Sequence, residues 1–339
     1  MIKYLINCNP ENKNVLLRLD LDLPENNGTF DTTRLEDSFE TLKYLWREKA
    51  KHVTVIAHRG HEPKKTKDFS LAPIADLLYD GLLGQTGFKK AKREQLEDWL
   101  DVLENLRFDP REEKNDPKFA TELAKGQDLF VNDAFATAHR EHTSIVGLPK
   151  LLPTVFGFQF EKEMTVLKKV TETPKRPFVF VLGGAKLDTK LPLIDKMAEL
   201  VDVILLGGKL AVEARETNFK QRRMIVAELS DDKLDISLKA AEQFERFITD
   251  AKTIVWNGPM GKFEDPEHMA GTKYVAEAIA RTSAFKVLGG GDTEAAVSML
   301  KINEGKAFSH ISAGGGAMLY YLSYRKLPAI EAAEAAKKK

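Results

Sequence analysis

Four apolar runs in the second half of the chain end in glycine, and this repeated ending narrows the fold more than any other feature. Residues 178–182 run into Gly183-Gly184-Ala185-Lys186, and 203–206 into Gly207-Gly208. Residues 286–288 run into Gly289-Gly290-Gly291-Asp292-Thr293, and 310–312 into Ala313-Gly314-Gly315-Gly316-Ala317. Strand, tight turn and helix in alternation build a parallel sheet with helices on both faces. In such sheets a ligand sits beyond the carboxyl ends of the strands. Glycine there lets backbone N–H groups approach it, and a helix N-terminus adds free donors and partial positive charge. Packing alone would explain one such turn. Four on one edge suit a polyphosphate, so the reading is a nucleotide site.

Further apolar runs at 15–19, 53–57, 129–132 and 253–256 alternate with helical stretches at 34–48, 71–83 and 192–200. The class is therefore α/β, and 339 residues suffice for two domains. Thr173-Pro174-Lys175-Arg176-Pro177 separates a helical segment from a strand and marks a boundary. The expected division is 1–159, a linking helix and linker at 160–177, 178–322, and a separate docking segment at 323–339.

Composition removes several function classes. Lys+Arg and Asp+Glu are both 51, so no basic excess suggests a nucleic-acid partner. The one cysteine, Cys8, allows no intrachain disulfide, and no Cys/His cluster has zinc spacing. The first ten residues are too short and polar for a signal peptide, and no apolar run reaches membrane-spanning length. A cytoplasmic protein with no membrane partner is expected. Lys337, Lys338 and Lys339 read as a frayed tail.

No G-x-x-x-x-G-K-[ST] is present, and no G-x-G-x-x-G follows a strand, which weighs against P-loop enzymes and ordinary dinucleotide oxidoreductases. Lys186 and Lys190 share a helix face at i, i+4. They are either a solvated pair or a phosphate contact, and the strand-end position favours the second. Asp292 at a helix start would repel phosphates unless a divalent cation bridges them, so it reads as a Mg²⁺-nucleotide contact. Thr293 reads as a cap or a phosphate hydroxyl.

In the first half the strand ends carry charged side chains instead. Asp20, Asp22 and Arg34 follow the first run; His58, Arg59 and His61 the second; Arg107 follows Glu104-Asn105-Leu106; Asn132, Asp133, His139 and Arg140 come later. Arginine forks match carboxylate and phosphate. Any one of these arginines could be a surface ion pair. Four on one edge make a local basic pocket in a neutral chain. One half would hold phosphates by backbone and lysine, the other a small anion by arginine. That division suits phosphoryl transfer, which needs positioning and charge neutralisation.

These residues resemble phosphoglycerate kinase nearly end to end. The resemblance lies in Leu103-Glu104-Asn105-Leu106-Arg107-Phe108, in Val131-Asn132-Asp133-Ala134-Phe135-Ala136-Thr137-Ala138-His139-Arg140, and in Lys175-Arg176-Pro177-Phe178 leading to Leu182-Gly183-Gly184-Ala185-Lys186. It continues in Val255-Trp256-Asn257-Gly258-Pro259-Met260-Gly261 with Phe263-Glu264, and in the last two glycine turns. It implies two Rossmann-like domains, each a parallel β-sheet flanked by helices, with a hinge and an interdomain cleft. It also implies a C-terminal tail that returns to the first domain, and a monomer. The implied reaction interconverts 1,3-bisphosphoglycerate plus ADP with 3-phosphoglycerate plus ATP, using Mg²⁺. By matching position, Asp20, Asp22, Arg34, His58, Arg107 and Arg140 would bind phosphoglycerate. Arg34 and Lys186 would stabilise the transferring group, with the Gly315-Gly316 helix start facing the phosphates. Gly184, Lys190, Asn257, Pro259, Gly290, Gly291, Asp292 and Thr293 would serve the nucleotide phosphates and metal. Glu264 would hold the ribose, and Gly207 and Gly208 would line the base pocket.

The chain also departs from the family pattern. Asp-Phe-Asn-Val-Pro is here Asp20-Leu21-Asp22-Leu23-Pro24, and each carboxylate ionised about 4 Å from a substrate anion would cost about 4 kcal/mol at an effective dielectric near 20, which nearby arginines should largely offset. His-Leu-Gly-Arg-Pro is here His58-Arg59-Gly60-His61-Glu62-Pro63, so Arg59 is expected to replace the charge lost at His61. Lys262 stands where a valine usually packs, Asp235-Ile236-Ser237-Leu238 replaces Asp-Ile-Gly-Pro, and the 209–235 region is short. Three readings follow: an active kinase of this kind, a non-catalytic nucleotide-binding relative, or a kinase of another phosphorylated acid. Retention of Arg34, Lys186, Lys190, Asp292 and the last glycine turn favours the first.

Overall fold

The computed structural model describes residues 2–26, 28–60, 66–185, 187–302 and 304–336. They form two compact units, one of 1–164 with 326–339, the other of 165–325. The helix Phe158–Glu172 carries the chain from one to the other.

The first unit holds a five-stranded sheet of β1 (Asn14–Arg18), β2 (His52–Ile56), β3 (Leu100–Val102), β4 (Leu129–Asn132) and β5 (Thr154–Phe156), in the order β3-β2-β1-β4-β5. Every pairing is parallel. Parallel strands carry helices on both faces, so both faces must be apolar. Val15 and Leu17 pack with Leu42, Val53, Val131 and Trp99 on one face, while Leu16 packs with Ile56, Phe130 and Leu148 on the other.

The second unit holds β6 (Phe178–Leu182), β7 (Val203–Leu206), β8 (Met224–Val226), β9 (Thr253–Asn257), β10 (Phe285–Gly289) and β11 (His310–Ser312). They run in the order β8-β7-β6-β9-β10-β11, again all parallel. Every residue of β6, β7 and β9 is buried, which is why these strands read as unbroken apolar runs. In each sheet the winding direction reverses beside the first strand, between β1 and β4 and between β6 and β9. Such reversals open a crevice at the carboxyl edge.

The fold corrects several sequence expectations. The helical stretch 34–48 is two helices, Thr33–Asp37 and Phe39–Arg47, because the chain turns at Ser38. The helix expected at 192–200 begins earlier and spans Leu187–Leu200 with Pro192 inside it. Its first N–H, of Leu187, is accepted by Glu213 Oε2 at 2.6 Å. The sequence reading missed β3, β5 and β8. Each has three residues and one neighbouring strand, too little for a period to show.

Candidate active site

At the carboxyl edge of the first sheet, a row of polar side chains runs inward from Asp22. The buried Arg18 ends β1 and donates from Nη2 to His58 Nδ1 at 3.0 Å and from Nε to Ser144 Oγ at 3.1 Å. Ser144 in turn donates to Glu112, whose carboxylate also accepts the Ser144 N–H. An arginine only donates, so His58 Nδ1 is the acceptor and its proton sits on Nε2. That nitrogen lies 3.9 Å from Asp22 Oδ2. The second Asp22 oxygen accepts the Gly60 N–H at 2.8 Å, and Arg34 Nη1 donates to the Asp22 carbonyl at 2.8 Å. The Asp22 charge therefore meets a peptide dipole and an imidazole N–H, which offsets the repulsion anticipated from the sequence.

Asp20 is half-buried beside Arg18. One oxygen accepts the Ala136 N–H at 2.7 Å, while Oδ1 has no hydrogen-bond partner. Burial pushes its pKa up and the Arg18 charge opposes this. Arg107 is buried, donates to the Gly60 carbonyl and lies 3.7 Å from Glu113. The potential of this edge is legible in His142, whose pKa is lowered to about 4 by burial and by the Arg107 and Arg18 charges. Burial is the larger cause, and the two cations that add to it mark a place suited to an anion. Arg140 ends the loop after β4, its N–H on Thr137, and is half-buried, as is His139.

Asp133 fastens that loop to its surroundings. Its carboxylate accepts the Thr41 hydroxyl and the Phe160 N–H (2.9 Å), at the start of the helix Phe158–Glu172. Burial raises its pKa to about 6 despite these bonds. Arg59 points elsewhere than the sequence suggested: its guanidinium is bonded to Glu25 and stacked on Phe30. His61 lies outside the described residues.

At the edge of the second sheet, the glycines divide into two kinds. Gly183, Gly207, Gly208 and Gly258 pack against protein. A Cβ on Gly258 would fall 2.3 Å from the Gly183 carbonyl carbon, and one on Gly208 2.8 Å from the Pro259 oxygen. Backbone bonds lock this knot, Gly183 N–H to Asn257 O and Gly208 N–H to Met260 O. Gly184 and Gly291 are different, because a Cβ there would meet nothing within 4 Å. They are the positions where a ligand has room to approach.

Asn257 and Thr293 build the floor of this edge. Asn257 Nδ2 donates to the Gly289 carbonyl at 2.7 Å, and its oxygen accepts from Lys190 Nζ at 3.3 Å. The Thr293 hydroxyl donates to the Gly289 carbonyl and accepts the Gly258 N–H at 2.7 Å. Lys190 is half-buried, and burial lowers its pKa while the Asp292 charge raises it. Asp292 is exposed in the first turn of the helix Gly291–Met299. The helix Gly315–Tyr324 begins against β10, with Gly315 so close that a Cβ would lie 2.6 Å from Gly290 Cα. Gly316 and Glu264 are exposed. Lys186 lies outside the described residues, as do Lys337, Lys338 and Lys339.

Four residues after Glu264 in the chain, His268 sits between two carboxylates, Nε2 2.7 Å from Asp232 and Nδ1 3.0 Å from Asp265. The Asp232 bond, then the Asp265 bond, hold its pKa above the ordinary value. A base with a raised folded pKa contributes stability that is full below about pH 6.5 and is lost as pH rises through the folded value. His268→Gln should therefore lower the melting temperature most near pH 6, with the gap closing in alkaline buffer. A gap independent of pH would contradict the clamp.

Comparison with known proteins fits this geometry. Residues 5–218 and 210–325 match the family described as "Phosphoglycerate kinase". Curated relatives of that name include one from Herpetosiphon aurantiacus, 37% identical across 94% of this chain and 96% of its own length. Another, from Thermus thermophilus, is 34% identical across 98% and 100%. Among solved structures, phosphoglycerate kinase from Coxiella burnetii superposes with a TM-score of 0.82 at 28% identity, covering 99% of both chains. The Pyrococcus horikoshii enzyme gives 0.78 at 28% identity, covering 100% of both. Two parallel sheets with anion-suited carboxyl edges and a match along nearly the whole length place this chain in the phosphoglycerate kinase family.

Proposed function

We propose that this chain catalyses reversible phosphoryl transfer between 1,3-bisphosphoglycerate with ADP and 3-phosphoglycerate with ATP, in glycolysis and gluconeogenesis. Within that family, the observation that carries the reading is the cationic edge of the first sheet, where the buried Arg18 and Arg107 and the half-buried Arg34 are bonded around His58, Gly60 and Asp22 in a chain of zero net charge. Arg34, Arg107, Arg140, His58 and His61 bind the phosphoglycerate, with Asp20 and Asp22 ordering them. Lys190, Gly184, Gly290, Gly291 and Asp292 receive the nucleotide phosphates. Asn257, Pro259 and Thr293 hold those groups in place. Glu264 takes the ribose, and Gly207 and Gly208 back the base. Arg34, Lys186 and the Gly315-Gly316 turn stabilise the phosphoryl group in transit. The protein acts in the cytoplasm as a monomer; among the described residues no helix is long and apolar enough to cross a membrane.

Mg²⁺ fits as a companion of the nucleotide. Asp292 offers one exposed carboxylate near Lys190, and Mg²⁺ is commonly held by one or two carboxylates with phosphate oxygens and water. Among the described residues no group of three His, Cys, Asp or Glu side chains is assembled to hold an ion alone. Bound there, the ion would neutralise phosphate charge. Asp22, already bonded to Gly60 and facing His58, gives no reason to prefer another acid as substrate. A coupled assay with ATP, Mg²⁺ and 3-phosphoglycerate is expected to show turnover that needs all three. Well-folded protein with no turnover, or turnover only with a different acid, would overturn the assignment.

A further inference from the structure

We propose that Arg59 is a positioning residue for the phosphoglycerate site: it clasps Glu25 and Phe30 and so fixes the ribbon that joins Asp22 to Arg34. The proposal rests on the kinase reading above. The ribbon is a two-residue antiparallel pair, Glu25–Asn26 against Thr29–Phe30, with Glu25 opposite Phe30. So short a pair cannot hold its own place in water.

Arg59 supplies what the ribbon lacks. Its buried guanidinium donates from Nη2 to Glu25 Oε2 at 2.7 Å and from Nη1 to the Ser70 carbonyl at 3.2 Å, and lies 4.7 Å above the Phe30 ring centre. One planar group thus grips both strands of the ribbon. The anchor is firm because Asn105 brackets the Arg59 peptide: Oδ1 accepts its N–H at 3.2 Å, and Nδ2 donates to its carbonyl at 2.7 Å. The next residue, Gly60, donates its N–H to Asp22 and accepts from Arg107.

The chain leaving the ribbon closes a ring. Asp31 N–H returns to the Pro24 carbonyl at 2.8 Å, and Arg34 then reaches back to the Asp22 carbonyl. The position of Arg34 therefore follows that of the ribbon. A phosphate drawn to Arg59 would have to displace Glu25 and break the Ser70 bond. The arginine acts on substrate through Arg34 and Asp22.

The test compares Arg59→Ala, Arg59→Lys, Glu25→Ala and the double alanine variant by steady-state kinetics, with amide hydrogen exchange across residues 25–31. Each single alanine should lower kcat/KM for 3-phosphoglycerate about tenfold, the worth of one charge-assisted hydrogen bond, with KM for ATP unchanged. The double variant should be no worse than either single. Lysine should restore only part, since it lacks the planar fork. Exchange at 25–31 should quicken in every alanine variant. A harmful Arg59→Ala beside a neutral or improved Glu25→Ala would make Arg59 a direct ligand and overturn the proposal. Lost thermal stability with unchanged kinetics would overturn it as well. Wild-type protein without turnover of phosphoglycerate would defeat the kinase reading instead, and unchanged exchange in Arg59→Ala would then still sink the clasp.

Discussion

Arg34→Ala should lower kcat by about a thousandfold or more and shift KM for either substrate far less. Arg34 is half-buried, and among the described residues one of its donors is held, by the Asp22 carbonyl at 2.8 Å. The rest of the fork remains for phosphate oxygens. A guanidinium that meets charge developing on a moving phosphoryl group contributes most in the transition state, so its removal appears in kcat. Arg34→Lys should recover little, because an ammonium keeps the charge but loses the bidentate geometry. Steady-state kinetics in both directions decide this. A large rise in KM with kcat preserved would assign Arg34 to ground-state binding only.

Trp256→Ala should destabilise the second unit by about 3–5 kcal/mol, the usual cost of emptying a fully buried aromatic site. For a unit of this size the melting temperature should fall by roughly 10 °C. Trp256 is completely buried in β9, faces Phe308 at 6.4 Å between ring centres, and donates from Nε1 to the Gly258 carbonyl at 2.9 Å. Gly258 belongs to the knot that orients Asn257, and Asn257 accepts from Lys190. The loss should therefore reach the nucleotide edge as a raised KM for ATP. Trp256→Phe should recover most of the packing but leave the Gly258 carbonyl without its donor. Differential scanning calorimetry settles the size of the effect, and a fall under about 2 °C would refute the account.

The central strands were legible because parallel strands covered on both faces leave no alternation to confuse: 178–182 and 203–206 stand where the apolar runs placed them. Three of the four edge strands were not, since a run such as Met224–Val226 is only half-buried and as short as a turn, whereas His310–Ser312 was marked by the glycines that follow it. The reading passed over Arg18. An arginine that closes an apolar run looks like the solvent end of a strand, and only the fold brings Ser144 and Glu112 to it. Arg59 was legible as a charge near the site, but its partner Glu25 lies 34 positions away in sequence. The glycine turns were correctly placed at strand ends. What sequence could not separate is the glycine that admits another peptide, such as Gly258, from the one that faces open space, such as Gly184.

The helix Pro328–Ala336 packs against residues Thr143–Gly147 and Leu148–Lys150, and the Ala329 N–H bonds the Ala138 carbonyl at 3.1 Å. Ala138 immediately precedes His139 and Arg140. During synthesis the whole of 165–325 emerges before that bond can form. The loop bearing Arg140 therefore takes part of its support from residues that follow the second unit in the chain, and 1–164 alone does not complete the first unit.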